Sequence, residues 1–281
     1  MVVDCDLNSW ILLLIIHFKP NTSRPILHLR KLSSFLAKAQ QEQSIVKPGS
    51  LLKPIINSSW LSPFGLYAFG FYKQGNGNAV GVFLAWVPQK TVVWTANRDN
   101  PPVPTDVKLS FTSDGRLVLQ SAQGTKTSVA NFPQGAMSAY RLDSGNFVVH
   151  NSDDNTIWQS FEHSTDTFLA SQHLLAFTLY SSVSEYDHST GKFRLLMQGN
   201  GNLVLYAIGT LLLPEYSYWS SITQGNGANV TLCLDDDSHL HLLNSSGSYI
   251  KNLTQGGYPR KDRVYLMRID ADGILRLTHT I

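Results

Sequence analysis

A short glycine-bearing unit recurs along this chain and limits its fold more than any other feature. Gly77-Asn78-Ala79-Val80, Gly145-Asn146-Phe147-Val148 and Gly201-Asn202-Leu203-Val204 share one pattern, and each is followed 13–18 residues later by a tryptophan: Trp94, Trp158 and Trp219. Related turns without the tryptophan stand at Asp114-Gly115-Arg116, Asp237-Ser238-His239 and Asp272-Gly273-Ile274. One small unit cannot bury its apolar face alone, so repeated units are expected to cover a common core. Tryptophan buries a large area, and one per unit is expected to converge on a shared axis.

From about residue 45, short runs of β-branched and aromatic residues alternate with Asn-Gly, Asp-Gly, Ser-Gly and Gly-Gly turns. Examples are the runs at 66–72, 80–86, 91–94, 116–120, 193–198 and 203–206. Short strands at regular spacing with turn chemistry between them define an all-β chain. The 281 residues are 43% hydrophobic, enough for a buried core, while charged residues make up only 15%. A net charge of +2 supplies no basic field of the kind that nucleic acid or acidic membranes require. Two cysteines, Cys5 and Cys233, build neither a disulfide framework nor a cysteine-rich zinc site. Sequons begin at Asn21, Asn57, Asn229, Asn244 and Asn252, and the last four are glycosylation candidates if the chain is secreted.

The one strongly apolar run, Trp10 to Ile16, is shorter than the ~20 residues of a membrane-spanning helix. Asp4 and Asp6 precede it, where a secretion signal carries Lys or Arg, and Ala37-Lys38-Ala39 has the small-x-small form of a cleavage site. Residues 1–44 therefore read as an atypical leader or N-terminal extension, and no membrane span is expected.

Several longer stretches carry a resemblance. Ser58-Ser-Trp-Leu-Ser-Pro-Phe-Gly-Leu-Tyr-Ala-Phe-Gly-Phe71, Thr91-Val-Val-Trp-Thr-Ala-Asn-Arg-Asp-Asn-Pro-Pro102, Leu142-Asp-Ser-Gly-Asn-Phe-Val148, Trp158-Gln-Ser-Phe-Glu-His163 and Gln198-Gly-Asn-Gly-Asn-Leu-Val-Leu-Tyr206 occur in that order. Through them, the chain from about residue 45 resembles the bulb-type, mannose-binding (monocot-type) lectin region of plant G-type lectin S-receptor-like serine/threonine kinases. The resemblance implies a β-prism II fold, three four-stranded sheets around a Trp-lined pseudo-threefold core, in tandem copies. Lectin domain 1 is then expected over 45–165 and a lectin-like domain 2 over 166–281. Ser164 and Ala170-Ser171-Gln172 stand where the family has a proline and Pro-Gly-Gln. Kinase signatures, an H-R-D or D-F-G element among them, do not occur in the 281 residues.

The resemblance also implies a sugar site. The family's mannose motif, Q-x-D-x-N-x-V-x-Y, is nearly kept by Gln198, Asn200, Asn202, Val204 and Tyr206. A hexose presents hydroxyls that donate and accept plus an apolar C–H face, which amides, a small aliphatic surface and a phenol would match. A straight strand would spread these five residues over roughly 26 Å, so a turn must fold them, and Asn200-Gly201 is read as a two-residue hairpin turn. By resemblance, Gln198 and Asn202 would bond neighbouring hydroxyls, Val204 would pack on ring carbons and Tyr206 would bond another hydroxyl. Asn200 replaces the family's Asp and loses its charge-assisted bonding. The same residues also make an ordinary hairpin, and both readings stand at this point.

Other hairpins match the motif less well: 112–120 keeps the acid and the valine, 142–150 the Asn and the Val, and 235–243 and 270–278 only the acid. Gln74-Gly-Asn-Gly-Asn-Ala-Val80 resembles the motif but has Val82 for the tyrosine and is expected to be a loop. Asp153-Asp154, Asp235-Asp236-Asp237 and Asp270/Asp272 lie beside turn residues, where Asp serves its own backbone. His239 and His241 near Asp237 form a metal-like pair that reads more simply as a solvated face. The expectation is a secreted, non-enzymatic lectin-like protein with no cofactor and no metal, binding mannose-type glycans or glycoproteins weakly. The alternative is a sugar-binding-deficient module that recognises proteins, receptor proteins among them.

Overall fold

One turn geometry organises the chain. At 112–116, 121–125, 142–146, 151–155, 198–202, 235–239, 244–248 and 270–274, the first residue's N–H donates to the fifth residue's carbonyl. In each, the fourth residue's N–H donates back to the first residue's carbonyl. This is a type I turn closed by a bulge, and its fourth residue sits in the left-handed region. Glycine holds that position at Gly115, Gly124, Gly145, Gly201, Gly247 and Gly273, and Asp154 and Ser238 take it with φ of 59° and 73°. The hairpin at 198–202 is therefore one residue longer than the two-residue turn its Asn-Gly suggests.

The computed structural model describes residues 45–55, 58–87, 91–132, 135–258 and 263–280. The leader expected at 1–44 and the sequon residues Asn21 and Asn57 lie outside them. No α-helix occurs among the described residues, and no helix there is long and apolar enough to cross a membrane.

Among the described residues six antiparallel sheets form, three before residue 160 and three after 166. Sheet I joins Ile45–Val46, Ser138–Arg141, Phe147–His150 and Thr156–Gln159 in that order. Sheet II joins Leu51–Leu52, Lys108–Phe111, Leu117–Gln120 and Lys126–Ser128, and sheet III Ser59–Leu61, Tyr67–Gln74, Gly77–Leu84 and Val92–Thr95. In the second half, sheet IV holds Thr167–Leu169, Val264–Ile269 and Leu275–Thr280. Sheet V holds His173–Leu175, Thr231–Leu234, Leu240–Leu243 and Tyr249–Asn252, and sheet VI Thr178–Ser182, Thr190–Met197, Leu203–Ala207 and Ser217–Ser220. The opening segment of each half thus gives one short strand to each of three sheets in turn. This is the β-prism II arrangement, repeated in tandem, with three strands in sheet IV among the described residues where four were expected.

The two cores differ. The first is aromatic: Phe69 stacks on Phe147 at 3.9 Å between centroids, and Trp94 meets Trp158 edge-on at 5.5 Å. The second is aliphatic, built from Leu179, Leu195, Leu203, Leu205, Leu232 and Leu242 with Phe168 and Met267. Trp219 does not join the other two tryptophans as the repeat suggested. It lies in the second half, 39% exposed, at the rim of an apolar cavity of about 390 Å³ with Tyr218, Met267 and Ile274.

In sheet IV the strands Thr167–Leu169 and Val264–Ile269 are buried on both faces. Period-2 alternation turns Leu169, Val264 and Leu266 toward the aromatic core and Phe168, Met267 and Ile269 toward the aliphatic one. Polar contacts extend the joint. The Arg98 fork donates to the carbonyls of Tyr180, Ser181, His188 and Ser189, Arg268 donates to Val92 O, and Trp94 Nε1 donates to His163 O at 2.8 Å. Asp166, fully buried, accepts from Ser182 Oγ at 2.6 Å and faces Arg268 at 3.8 Å. Burial pushes its pKa up, but Arg268, the Ser182 hydroxyl and Arg98 outweigh it, and the carboxyl titrates below its ordinary range.

Two outcomes follow from this joint. Leu266→Ala should cost about 2–5 kcal/mol, and calorimetry should still show both halves unfolding in one transition; two separated transitions would contradict a shared sheet. Asp166 has a lower pKa folded than unfolded, so its stabilisation is present above the unfolded value of about 3.9 and fades as pH falls below it. Urea denaturation between pH 6 and pH 3 should show an acid loss that Asp166→Asn reduces.

Candidate sugar-binding site

The expected site residues sit on the hairpin between the second and third strands of sheet VI. Leu195, Met197, Leu203 and Leu205 alternate into the core, which leaves Leu196, Gln198, Val204 and Tyr206 on the outer face. Gln198 N donates to Asn202 O and Gly201 N to Gln198 O, both at 2.9 Å, so the turn brings the first and last motif residues together. Gly201 has φ of +86°, and a Cβ there would stand 2.9 Å from Gly227 O, so glycine is required twice over. Gln198 Nε2 then donates to Tyr206 Oη at 3.1 Å across the hairpin.

Asn202 is held from behind. Its Oδ1 accepts from Ser221 Oγ and Thr223 N, each at 3.1 Å, while Ser221 Oγ itself accepts from Leu203 N at 2.9 Å. Thr223 Oγ1 closes the network on Gly201 O at 2.7 Å. Among the described residues nothing accepts from Asn202 Nδ2, and the side chain is half-buried, so a fixed donor faces outward. Asn200 is exposed, and its Oδ1 accepts from Asn202 N at 3.1 Å. Val204 and Tyr206 are each only 1% exposed. The Arg194 guanidinium lies 5.9 Å from the Tyr206 ring centroid and donates to Thr210 O at 3.0 Å. All five residues are therefore brought to one hairpin, three of them reachable from solvent.

Equivalent positions elsewhere are engaged within the protein. Asn146 repeats the Asn202 arrangement, accepting from Ser160 Oγ and Phe161 N at 3.2 Å, but its Nδ2 donates to Gln159 Oε1 at 2.8 Å. The stretch 74–80 is not a loop: it turns tightly between Tyr67–Gln74 and Gly77–Leu84, the counterpart in sheet III of the hairpin just described. Its Gln74 and Asn78 are buried, Gln74 bonded to Tyr72 Oη and Asn78 Nδ2 to Val103 O. Asp114 pairs with Arg116 at 3.2 Å, and Arg276 grips Asp270 and Asp272. His150 holds Asp154 at 2.8 Å. These carboxylates serve their own turns. A second cavity, of about 240 Å³ beside Asn97, Pro102 and Leu119, is lined by residues of the first half alone.

The D-mannose binding lectin family matches residues 91–185. The G-type lectin S-receptor-like serine/threonine-protein kinase LECRK2 of Oryza sativa subsp. japonica is 33% identical over 267 residues, covering 90% of this chain and 32% of its own. The corresponding kinase RLK1 of Arabidopsis thaliana is 32% identical over 209 residues, 69% of this chain and 25% of its own. This chain is similar to the lectin region of G-type lectin receptor kinases. It spans a quarter to a third of the length of these relatives, a part that does not include their kinase region. Among solved structures, the snowdrop mannose-specific agglutinin complexed with methyl-α-D-mannoside is 21% identical, with a TM-score of 0.33 over 41% of this chain and 91% of its own. The lectin of Remusatia vivipara gives 23% and 0.32 over 41% and 89%.

Ser221, Thr223 and Arg194 are the residues that the sequence motif does not announce. Ser221→Ala would leave the buried Leu203 N–H without its acceptor and free one side of Asn202. It should destabilise by about 1–3 kcal/mol in urea denaturation, and a change below about 0.5 kcal/mol would mean that the network does not hold the hairpin.

Proposed function

We propose that this chain is an extracellular recognition protein, without enzymatic activity, that binds mannose-type glycans weakly through Gln198, Asn200, Asn202, Val204 and Tyr206. The observation that carries the reading is the fixed Asn202 amide with its Nδ2 free, beside a Gln198–Tyr206 pair already bonded across the hairpin. Pre-positioned groups lose little freedom on binding. The names of the similar proteins, a mannose-binding lectin family and a mannoside-complexed agglutinin, support the same ligand class. In this reading 45–165 and 166–281 are tandem lectin-like units, the second carrying the site. The sequon residues Asn229, Asn244 and Asn252 all lie at or beside turns and strand ends, where a glycan could be carried.

A second reading rests on a different observation. Val204 and Tyr206 present almost no surface, and the amides at the equivalent positions of the first half are bonded internally. Both facts suit a module that recognises proteins after losing sugar binding.

Titration calorimetry with methyl-α-D-mannoside separates the two. The expected dissociation constant is on the order of 1 mM, lost in Gln198→Ala and Tyr206→Phe. Asn200→Asp restores a charged acceptor and should tighten binding by about 1 kcal/mol, several-fold in affinity. Absence of binding at high protein concentration, or indifference to both site variants, would reject the sugar reading and favour the protein-recognition one.

A further inference from the structure

The outer face of sheet V carries a group of metal-ligand type that does not belong to the sugar hairpin. Asp235 and His239 are the first and fifth residues of one bulged turn, the places that Gln198 and Asn202 hold in sheet VI. His241 follows His239 by two and so shares its face. The turn brings Asp235 Oδ2 to 3.3 Å from His239 Nδ1 and 3.7 Å from His241 Nδ1, and the three ligand atoms all lie within 4.8 Å of one another. The partner acid is thus Asp235 rather than Asp237, whose carboxylate bonds the backbone at His239 and Gly257.

Hydrogen bonding leaves this group incomplete. Asn252 Oδ1 can only accept, so His239 Nε2, 3.1 Å away, carries the hydrogen. The Nδ1 of the neutral ring is then a bare lone pair aimed at a carboxylate oxygen. A proton between them would satisfy Asp235 and His239, yet His241 would still stand apart: its side chain is 4% exposed, and its Nδ1 has no hydrogen-bond partner. Tyr249 packs over both rings, 4.7 Å from His241 and 5.9 Å from His239 between centroids, and limits their rotation. One cation among the three atoms would answer all three lone pairs.

We propose that Asp235, His239 and His241 bind a divalent transition-metal ion of the zinc class. Donor atoms on a tetrahedral shell of roughly 2.0–2.1 Å stand about 3.4 Å apart, close to the two separations found. Two imidazoles and one carboxylate suit Zn²⁺ and its neighbours, whereas Ca²⁺ and Mg²⁺ take oxygen ligands. Asn252 serves as the outer partner that orients a ligating imidazole. The fourth position faces solvent and takes water. Cys233 lies on the same face, but its Sγ is turned to His173 Nδ1 at 3.1 Å, and the thiolate is not part of the set.

The test is calorimetric titration of the chelator-treated full chain with Zn²⁺. One ion per chain is expected, with affinity falling at least tenfold in His239→Ala, His241→Ala and Asp235→Asn. His150→Ala, which removes the other close histidine–aspartate pair, should bind as the parent does. His239 is only half-buried, so its variant guards against loss of binding through misfolding, which circular dichroism checks. The Co²⁺-loaded protein should show a tetrahedral visible spectrum without a thiolate charge-transfer band. No binding, binding unchanged in His239→Ala and Asp235→Asn, equal loss in His150→Ala, or a thiolate band would each overturn the assignment.

Discussion

Burial of the sheet IV strand Val264–Ile269 on both faces is the constraint on which the rest of this structure depends. A β-prism sheet ordinarily needs one apolar face, with the other left to solvent or ligand. Here the strand Val264–Ile269 alternates between two cores, so Leu266 completes an aromatic core while Met267 and Ile269 complete an aliphatic one. The described residues accordingly pack as one compact unit rather than as two separable beads. Arg98 and Arg268 finish the joint by donating to carbonyls across it, which a flexible lysine with fewer fixed donors would do less well. The sheet VI hairpin hangs from the half that this joint anchors.

Within the described residues of every sheet but III, one turn does two jobs. It closes the hairpin through a left-handed fourth residue, and it sets the first and fifth side chains side by side on the outer face. Chemistry then depends only on which residues occupy those places. Gln198 with Asn202 offers neutral hydrogen-bonding groups, Asp270 with Arg276 nearby makes an ion pair, and Asp235 with His239 and His241 gathers donors for a cation. One scaffold can therefore carry different surface chemistries without changing its core, because inward and outward positions alternate along the strands.

Much of this was legible in the chain. Turn chemistry is local, so Gly201, Gly145 and Gly273 mark their hairpins from sequence, and the motif residues 198–206 are gathered by a turn between two strands as expected. What could not be read depends on neighbours distant along the chain. Ser221 stands 19 residues from Asn202 with no pattern to link them. The run Val264-Tyr-Leu-Met-Arg-Ile269 says that both faces are buried but not that they face different cores. Spacing alone could not say which axis Trp219 serves, and its repeat predicted company that it does not have. His239 and His241 stand near Asp237 in sequence, but the turn that brings Asp235 to them instead has the left-handed Ser238 at its fourth place, where no glycine marks it.

A sugar bound at the sheet VI hairpin meets the outward amides of Gln198 and Asn202 in the proposed mode, and side-chain amide resonances report on those groups directly. Titrating the ¹⁵N-labelled chain with methyl-α-D-mannoside should move the Gln198 and Asn202 side-chain signals together in a saturable way. The Asn78 and Asn146 signals, engaged within the first half, should stay in place. Absence of any shift at high sugar concentration, or shifts confined to residues outside 198–206, would contradict it.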